Sequence, residues 1–147
     1  MEPAPPDLAA PEIAATELDA LFTAAKTAQG RAYAPYSRFA VGAAILAGDG
    51  TIHAGCNVEN AAYPVGACAE AGAISAMVAA GSREIRAILV MGTGEELVTP
   101  CGACRQRIRE FAAPETPVLI AGPGGVRARF SLAELLPASF GPANLPK

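Results

Sequence analysis

The sequence predicts an α/β fold, a three-layer α-β-α sandwich around a mixed five-stranded sheet, on three observations. Two apolar runs of strand length sit either side of a Gly-Asp-Gly turn, later strand-length runs alternate with helix-compatible stretches, and Gly and Pro fall at the breaks between them. Residues 1–11 are rich in Pro and Ala without any period and read as a loose tail, so 1–15 is set apart as a flexible N-terminal tail and 16–147 as one folded domain. Thr16 is placed to cap a first helix in which Leu18, Leu21, Phe22 and Ala25 share one apolar stripe. The runs 39–46 and 51–56 predict an antiparallel hairpin turned at Ala47-Gly48-Asp49-Gly50, with 57–66 leaving the sheet at its edge. A second helix is expected over 69–80, with Gly81 as its C-cap, and a buried strand over 87–91. Pro100 introduces a third helix that runs through Arg109. Strands at 117–121 and 126–130 flank Gly122-Pro123-Gly124-Gly125, and Ser131-Leu132-Ala133-Glu134 has the form of a capping box for a short last helix.

Composition narrows the function. A chain of 147 residues is the size of one domain, enough to bury roughly two-thirds of its unfolded surface. A formal net charge of -3 with 17% charged residues argues against a groove that tracks nucleic-acid phosphates, so no nucleic-acid partner is expected. No apolar run approaches the roughly twenty residues that cross a bilayer. Residues 1–15 also lack the basic start and apolar centre of a signal peptide, which predicts a cytoplasmic protein without a membrane partner. Four cysteines in such a chain read as metal ligands and a reduced thiol rather than as a disulfide framework.

The chemistry concentrates in Cys68-Ala69-Glu70 and, about thirty residues later, Pro100-Cys101-Gly102-Ala103-Cys104. Three thiolates from Cys68, Cys101 and Cys104 fill three corners of a zinc tetrahedron, and a catalytic zinc keeps the fourth for water or substrate. The predicted helix starts put the positive ends of two helix dipoles at the sulfurs, which favours thiolate. Glu70, two residues beyond Cys68, is the carboxylate available to handle the protons of that water. The competing reading is a closed structural zinc with Cys56 as fourth ligand, although Cys56 also reads as a small apolar residue of its strand.

Three stretches extend this pattern: Tyr36-Ser37-Arg38-Phe39-Ala40-Val41-Gly42-Ala43-Ala44, then Gly55-Cys56-Asn57-Val58-Glu59-Asn60-Ala61-Ala62-Tyr63-Pro64, then Pro100 through Gln106. With Cys68-Ala69-Glu70 they closely resemble the small homotetrameric cytidine deaminases, over most of the stretch from Ala34 to Phe140. The resemblance implies that family's fold for 16–147, one Zn²⁺ per chain and a homotetramer. It further implies hydrolysis of cytidine or deoxycytidine to uridine or deoxyuridine plus ammonia, in pyrimidine salvage. A zinc-activated water would attack C4 of the ring while Glu70 protonates N3 and later carries a proton to the departing amine. Asn57 and Glu59, one residue apart, face the same side of an extended segment. By themselves they fit either a turn or a sugar, and the resemblance implies the ribose. It likewise implies base contacts from Phe39, Ala69 and, across a subunit boundary, Phe140.

One position departs from the family. Its usual C-A-E-R reads Cys68-Ala69-Glu70-Ala71 here. Zinc with three thiolates carries a net negative charge that opposes deprotonation of bound water, and a nearby arginine would offset it. Arg105, directly after Cys104, is the candidate for thiolate charge compensation. His53 is given no role, and Arg83, Arg86, Arg107 and Arg109 read as solvated surface charges. Two other functions stay open: a deaminase of the same fold acting on another aminated heterocycle such as a blasticidin-type nucleoside antibiotic, and a non-catalytic zinc module that binds a partner.

Overall fold

The structure, a computed structural model, describes residues 12–146. The expected tail lies outside the described residues as far as residue 11, and the first helix is α1 (Ala15–Gln29). Thr16 is therefore inside α1 and does not cap it. The capping is done by a carboxylate instead: the Ala14 N–H donates to Glu17 Oε1 at 3.0 Å. Arg86 holds that carboxylate through two bonds of 2.9 Å.

β1 (Gly42–Ala47) and β2 (Ile52–Cys56) form the antiparallel hairpin, in register from Gly42 opposite Cys56 to Leu46 opposite Ile52. β1 begins three residues later than the apolar run suggests. Phe39, Ala40 and Val41 stay outside the sheet because side chains take up backbone groups there, Gln29 that of Ala40 and Asn57 those of Phe39 and Val41, as described below. β2 gives way at Asn57 to an irregular segment with a 3₁₀ turn at Tyr63–Val65. α2 (Ala69–Ala79) is capped by Ala80, and Gly81 follows at φ +100°, so the glycine sits one residue past the cap, where the left-handed conformation is needed.

β3 (Ile85–Met91), α3 (Gly102–Phe111), β4 (Pro117–Gly122), β5 (Gly125–Ser131) and α4 (Leu132–Leu135) complete the chain. The capping box of α4 forms as the sequence suggests: Ser131 Oγ accepts from the Glu134 N–H at 3.1 Å and Glu134 Oε1 from the Ser131 N–H at 2.9 Å. The five strands lie in the order β2-β1-β3-β4-β5. β3 and β4 are parallel while the other pairs are antiparallel, which is the mixed sheet expected.

Alternation along the strands divides the core into two layers. Ile45, Ile88, Val90, Val118 and Ile120 point to one face and meet Ala73, Met77, Ile108 and Leu132 from α2, α3 and α4. Ala44, Leu46, Leu89 and Leu119 point to the other and meet Leu21 and Ala25 of α1. Helices therefore cover both faces. α2 lies so close to β2 that a Cβ on Gly55 would come within 2.6 Å of Ala69 O and 2.7 Å of Gly72 C. That contact fixes where α2 begins, and with it the position of Cys68 and Glu70.

Candidate active site

Two helices start at the same place. Cys68 is the N-cap of α2 and Cys101 the N-cap of α3, both with extended backbone, and Cys104 lies within the first turn of α3. Pro100 precedes that cap and ends the incoming chain. The three sulfurs lie within 4.8 Å of one another. Tetrahedral zinc with Zn–S bonds of about 2.3 Å draws its sulfurs to about 3.8 Å apart, so the donor set and spacing fit one zinc ion with small side-chain adjustment. Cys56 is not part of the group, and all four cysteines are free of disulfides.

The thiols differ in environment. Cys101 is exposed and is held below the usual thiol range, chiefly by the backbone amide of Cys104 at the start of α3. Burial pushes Cys68 and Cys104 up; Glu70 and the other two cysteines add to the rise at Cys104, while at Cys68 the Cys104 side chain opposes it and Cys101 and Glu70 add to it. Glu70 itself is only 4% exposed. Desolvation raises it above the ordinary carboxylate range, opposed by its own backbone amide and by Arg107. A cavity of about 200 Å³ is lined by Cys68, Ala69, Glu70 and Cys101 together with Val41, Asn57, Val90, Val98 and Thr99. Glu70 and two of the three cysteines thus line one space.

Asn57 and Glu59 flank Val58, which is bridged to Tyr33 on one side and Ala67 on the other, so the segment is extended as expected. Both side chains hold backbone, as the turn alternative left open by the sequence would have it. Asn57 Oδ1 accepts from the Val41 N–H at 2.9 Å and its Nδ2 donates to Phe39 O at 2.8 Å. Glu59 Oε1 accepts from the amides of Tyr36 and Ser37 at 2.9 and 3.1 Å. The Ser37 side chain is the largest of several donors that keep Glu59 below the ordinary carboxylate range. Glu59 also lines a second cavity of about 350 Å³ with Tyr36, Ser37, Asn60, Tyr63 and Gly66. Arg38, in the loop they hold, takes φ +57°, a left-handed conformation unusual for arginine. Phe39 follows it and is 39% exposed. Phe140 is 58% exposed, lines neither cavity, and has its carbonyl bonded by Gln106 Nε2 at 2.9 Å.

The structure relocates the cation expected at the sulfurs. Arg105 turns away from them, with Nε on Pro100 O and Nη1 on Leu135 O, each at 2.8 Å, and Nη2 on Thr99 Oγ1 at 3.3 Å. Arg107 is the guanidinium on a thiol, with Nη1 3.5 Å from Cys104 Sγ. The signal available in the sequence was the separation of three between Cys104 and Arg107, which makes them neighbours on a helix face. Three of the arginines read as solvated have side-chain partners: Arg86 on Glu17, Arg107 on Cys104 and Arg109 on Ser139. His53 contacts Thr51 Oγ1 at 2.8 Å at the far end of the hairpin.

A three-thiolate metal group with a buried glutamate lining the same cavity as two of its cysteines, carried at helix starts on an α/β sandwich, defines a zinc-dependent hydrolytic site. Comparison with known proteins specifies it. The family model for the cytidine and deoxycytidylate deaminase zinc-binding region matches residues 15–120, and the chain belongs to that family. It is 43% identical over 129 residues to a cytidine deaminase of Sporosarcina psychrophila, covering 88% of this chain and 95% of that one. The crystal structure of cytidine deaminase from Burkholderia pseudomallei superposes with a TM-score of 0.77 at 46% identity, over 83% of this chain and 98% of that one. That of Mycobacterium tuberculosis gives 0.71 at 40% identity, over 84% and 96%.

Proposed function

We propose that this chain hydrolyses the amino group from cytidine and deoxycytidine, releasing ammonia and uridine or deoxyuridine. The carrying observation is the buried Glu70, which lines one cavity with Cys68 and Cys101. Cys68, Cys101 and Cys104 hold one zinc, which when bound supplies Lewis acidity that makes water a nucleophile at neutral pH. Glu70 would take a proton from the attacking water and give it to N3 of the ring, then take the second proton from the oxygen now on C4 and give it to the leaving amine. The balance is one water consumed, the C4–N bond broken and a C4 carbonyl left behind. Desolvation around Glu70 keeps bulk water from competing for these protons.

Asn57, Glu59 and Phe39 position the nucleoside, with Glu59 supplying the ribose contact and Phe39 a flat face for the pyrimidine. Ala69, at the first turn of α2, lines the cavity and leaves room for the ring. Tyr33, Tyr36, Phe39, Tyr63, Val65 and Phe140 are large apolar side chains exposed on one chain, and their exposure supports a homotetramer in which Phe140 reaches a neighbour's site. The catalytic domain is assigned to 16–147 with the tail ahead of it. Four free cysteines suit a reducing cytoplasm and a role in pyrimidine salvage.

Incubating the zinc-loaded protein separately with cytidine, deoxycytidine, cytosine, adenosine and a blasticidin-type nucleoside, and measuring ammonia, tests the substrate. The two cytidines should dominate. Preference for the antibiotic would assign a different substrate to the same chemistry, and silence toward all five would end the enzymatic reading.

A further inference from the structure

Ala71 leaves the zinc site of this chain without the arginine that follows the glutamate in the family's C-A-E-R motif, and the charge deficit is local. Three thiolates on one zinc leave a net negative centre, and Cys104, fully buried, has no water to stabilise its share of that charge. Helix starts at Cys68 and Cys101 supply partial positive charge only. Arg86, Arg105, Arg109 and Arg127 are bonded to a carboxylate, backbone carbonyls and hydroxyls elsewhere. Arg107 lies one helical turn beyond Cys104 on α3 and directs Nη1 to its sulfur.

We infer that Arg107 is the positioning residue that neutralises the thiolate set in this chain, replacing from α3 the cation that Ala71 omits on α2. The inference rests on the zinc-deaminase reading above. A guanidinium on Cys104 Sγ offsets part of the negative charge that three sulfurs bring to one zinc, which favours holding the metal there. It also draws charge from the sulfur, which leaves the metal a stronger Lewis acid. Because α2 and α3 start side by side, a cation on either helix reaches the same sulfurs, so the two positions can exchange the task.

The test is zinc affinity, read at fixed pH by transfer of zinc to a chromogenic chelator, for the parent, Arg107→Gln, Arg107→Lys, Arg83→Gln and the double variant Arg107→Gln/Ala71→Arg. Losing one charge-assisted hydrogen bond predicts about tenfold weaker zinc binding in Arg107→Gln. Arg83→Gln, the same change of net charge at an exposed turn, should match the parent. Arg107→Lys should retain most of the affinity and the double variant should recover part of the loss. Parent-like affinity in Arg107→Gln, or a lysine variant as weak as the glutamine one, overturns the assignment. Uridine formation from cytidine by the parent is measured separately, so failure of the deaminase reading and failure of the Arg107 assignment give different results.

Discussion

The cysteine and Glu70 cluster and the loop from Tyr36 to Val41 are held by different means. Cys68, Glu70, Cys101 and Cys104 ride on the first turns of α2 and α3, and the close contact of α2 with Gly55 fixes them against the sheet. The loop from Tyr36 to Val41 belongs to no strand or helix, and α1 reaches it through Gln29 Nε2, which donates to Ala40 O at 3.2 Å. It hangs on the Asn57 amide and the Glu59 carboxylate, which grip its backbone from an adjacent segment. The proposed function places the chemistry on the helix starts, where distances between sulfurs must be kept. It places recognition on the suspended part, whose aromatic side chains are exposed in a single chain.

The largest effect that separates the two regions is expected from Glu70→Gln. It should bind zinc and melt like the parent, yet lose about 100-fold to 10,000-fold in turnover, because the amide cannot accept and return protons. A zinc-loaded variant with near-parent turnover would remove Glu70 from the chemistry and leave the cluster with metal binding alone.

Glu59→Ala should act on the loop and spare the metal. Loss of hydrogen bonds to a charged acceptor predicts about 10-fold to 100-fold lower kcat/KM for cytidine with unchanged zinc content. Any residual reaction of free cytosine should suffer far less, because cytosine has no ribose to hold. An equal loss for both would mean that Glu59 serves only to brace Tyr36 and Ser37.

The same division explains what could be read from the residues alone. Cys68, Glu70, Cys101 and Cys104 were legible because helix caps and zinc ligands follow short-range spacing, as were the hairpin, the Ser131 capping box and the alternation that builds the sheet. The late start of β1 was not. It follows from Asn57, sixteen residues from Val41, taking the amide that a strand partner would have used. The Thr16 cap failed for a similar reason: Arg86 and Glu17 meet across the fold, and that pairing draws the helix start to Ala15. Choosing between Arg105 and Arg107 required knowing that Pro100 and Leu135 present carbonyls to the first. Adjacency in sequence favoured Arg105, whereas adjacency on the helix favoured Arg107.

The smallest effect should come from the end of the hairpin away from the cysteine cluster. Asp49 accepts from the Thr51 hydroxyl and amide and from Ser82 Oγ. These bonds, the Thr51 hydroxyl foremost, lower its pKa from 3.8 to about 2. A depressed carboxylate stabilises the fold above its unfolded value and loses that contribution as pH falls through the folded one. Asp49→Asn should therefore melt slightly below the parent at neutral pH, with the gap closing between pH 4 and about 2. Thermal melts across that range check it, and a gap that widens with acid would reverse the sign. Zinc content and cytidine turnover should not change.

The central claim is an open three-thiolate zinc in front of Glu70, and zinc stoichiometry in Cys56→Ser tests it most directly. The sulfur group leaves Cys56 out, so the account predicts one zinc per chain in the variant as in the parent, with cytidine turnover preserved. Loss of zinc from a folded Cys56→Ser protein would mean a closed four-cysteine structural site and would contradict the account.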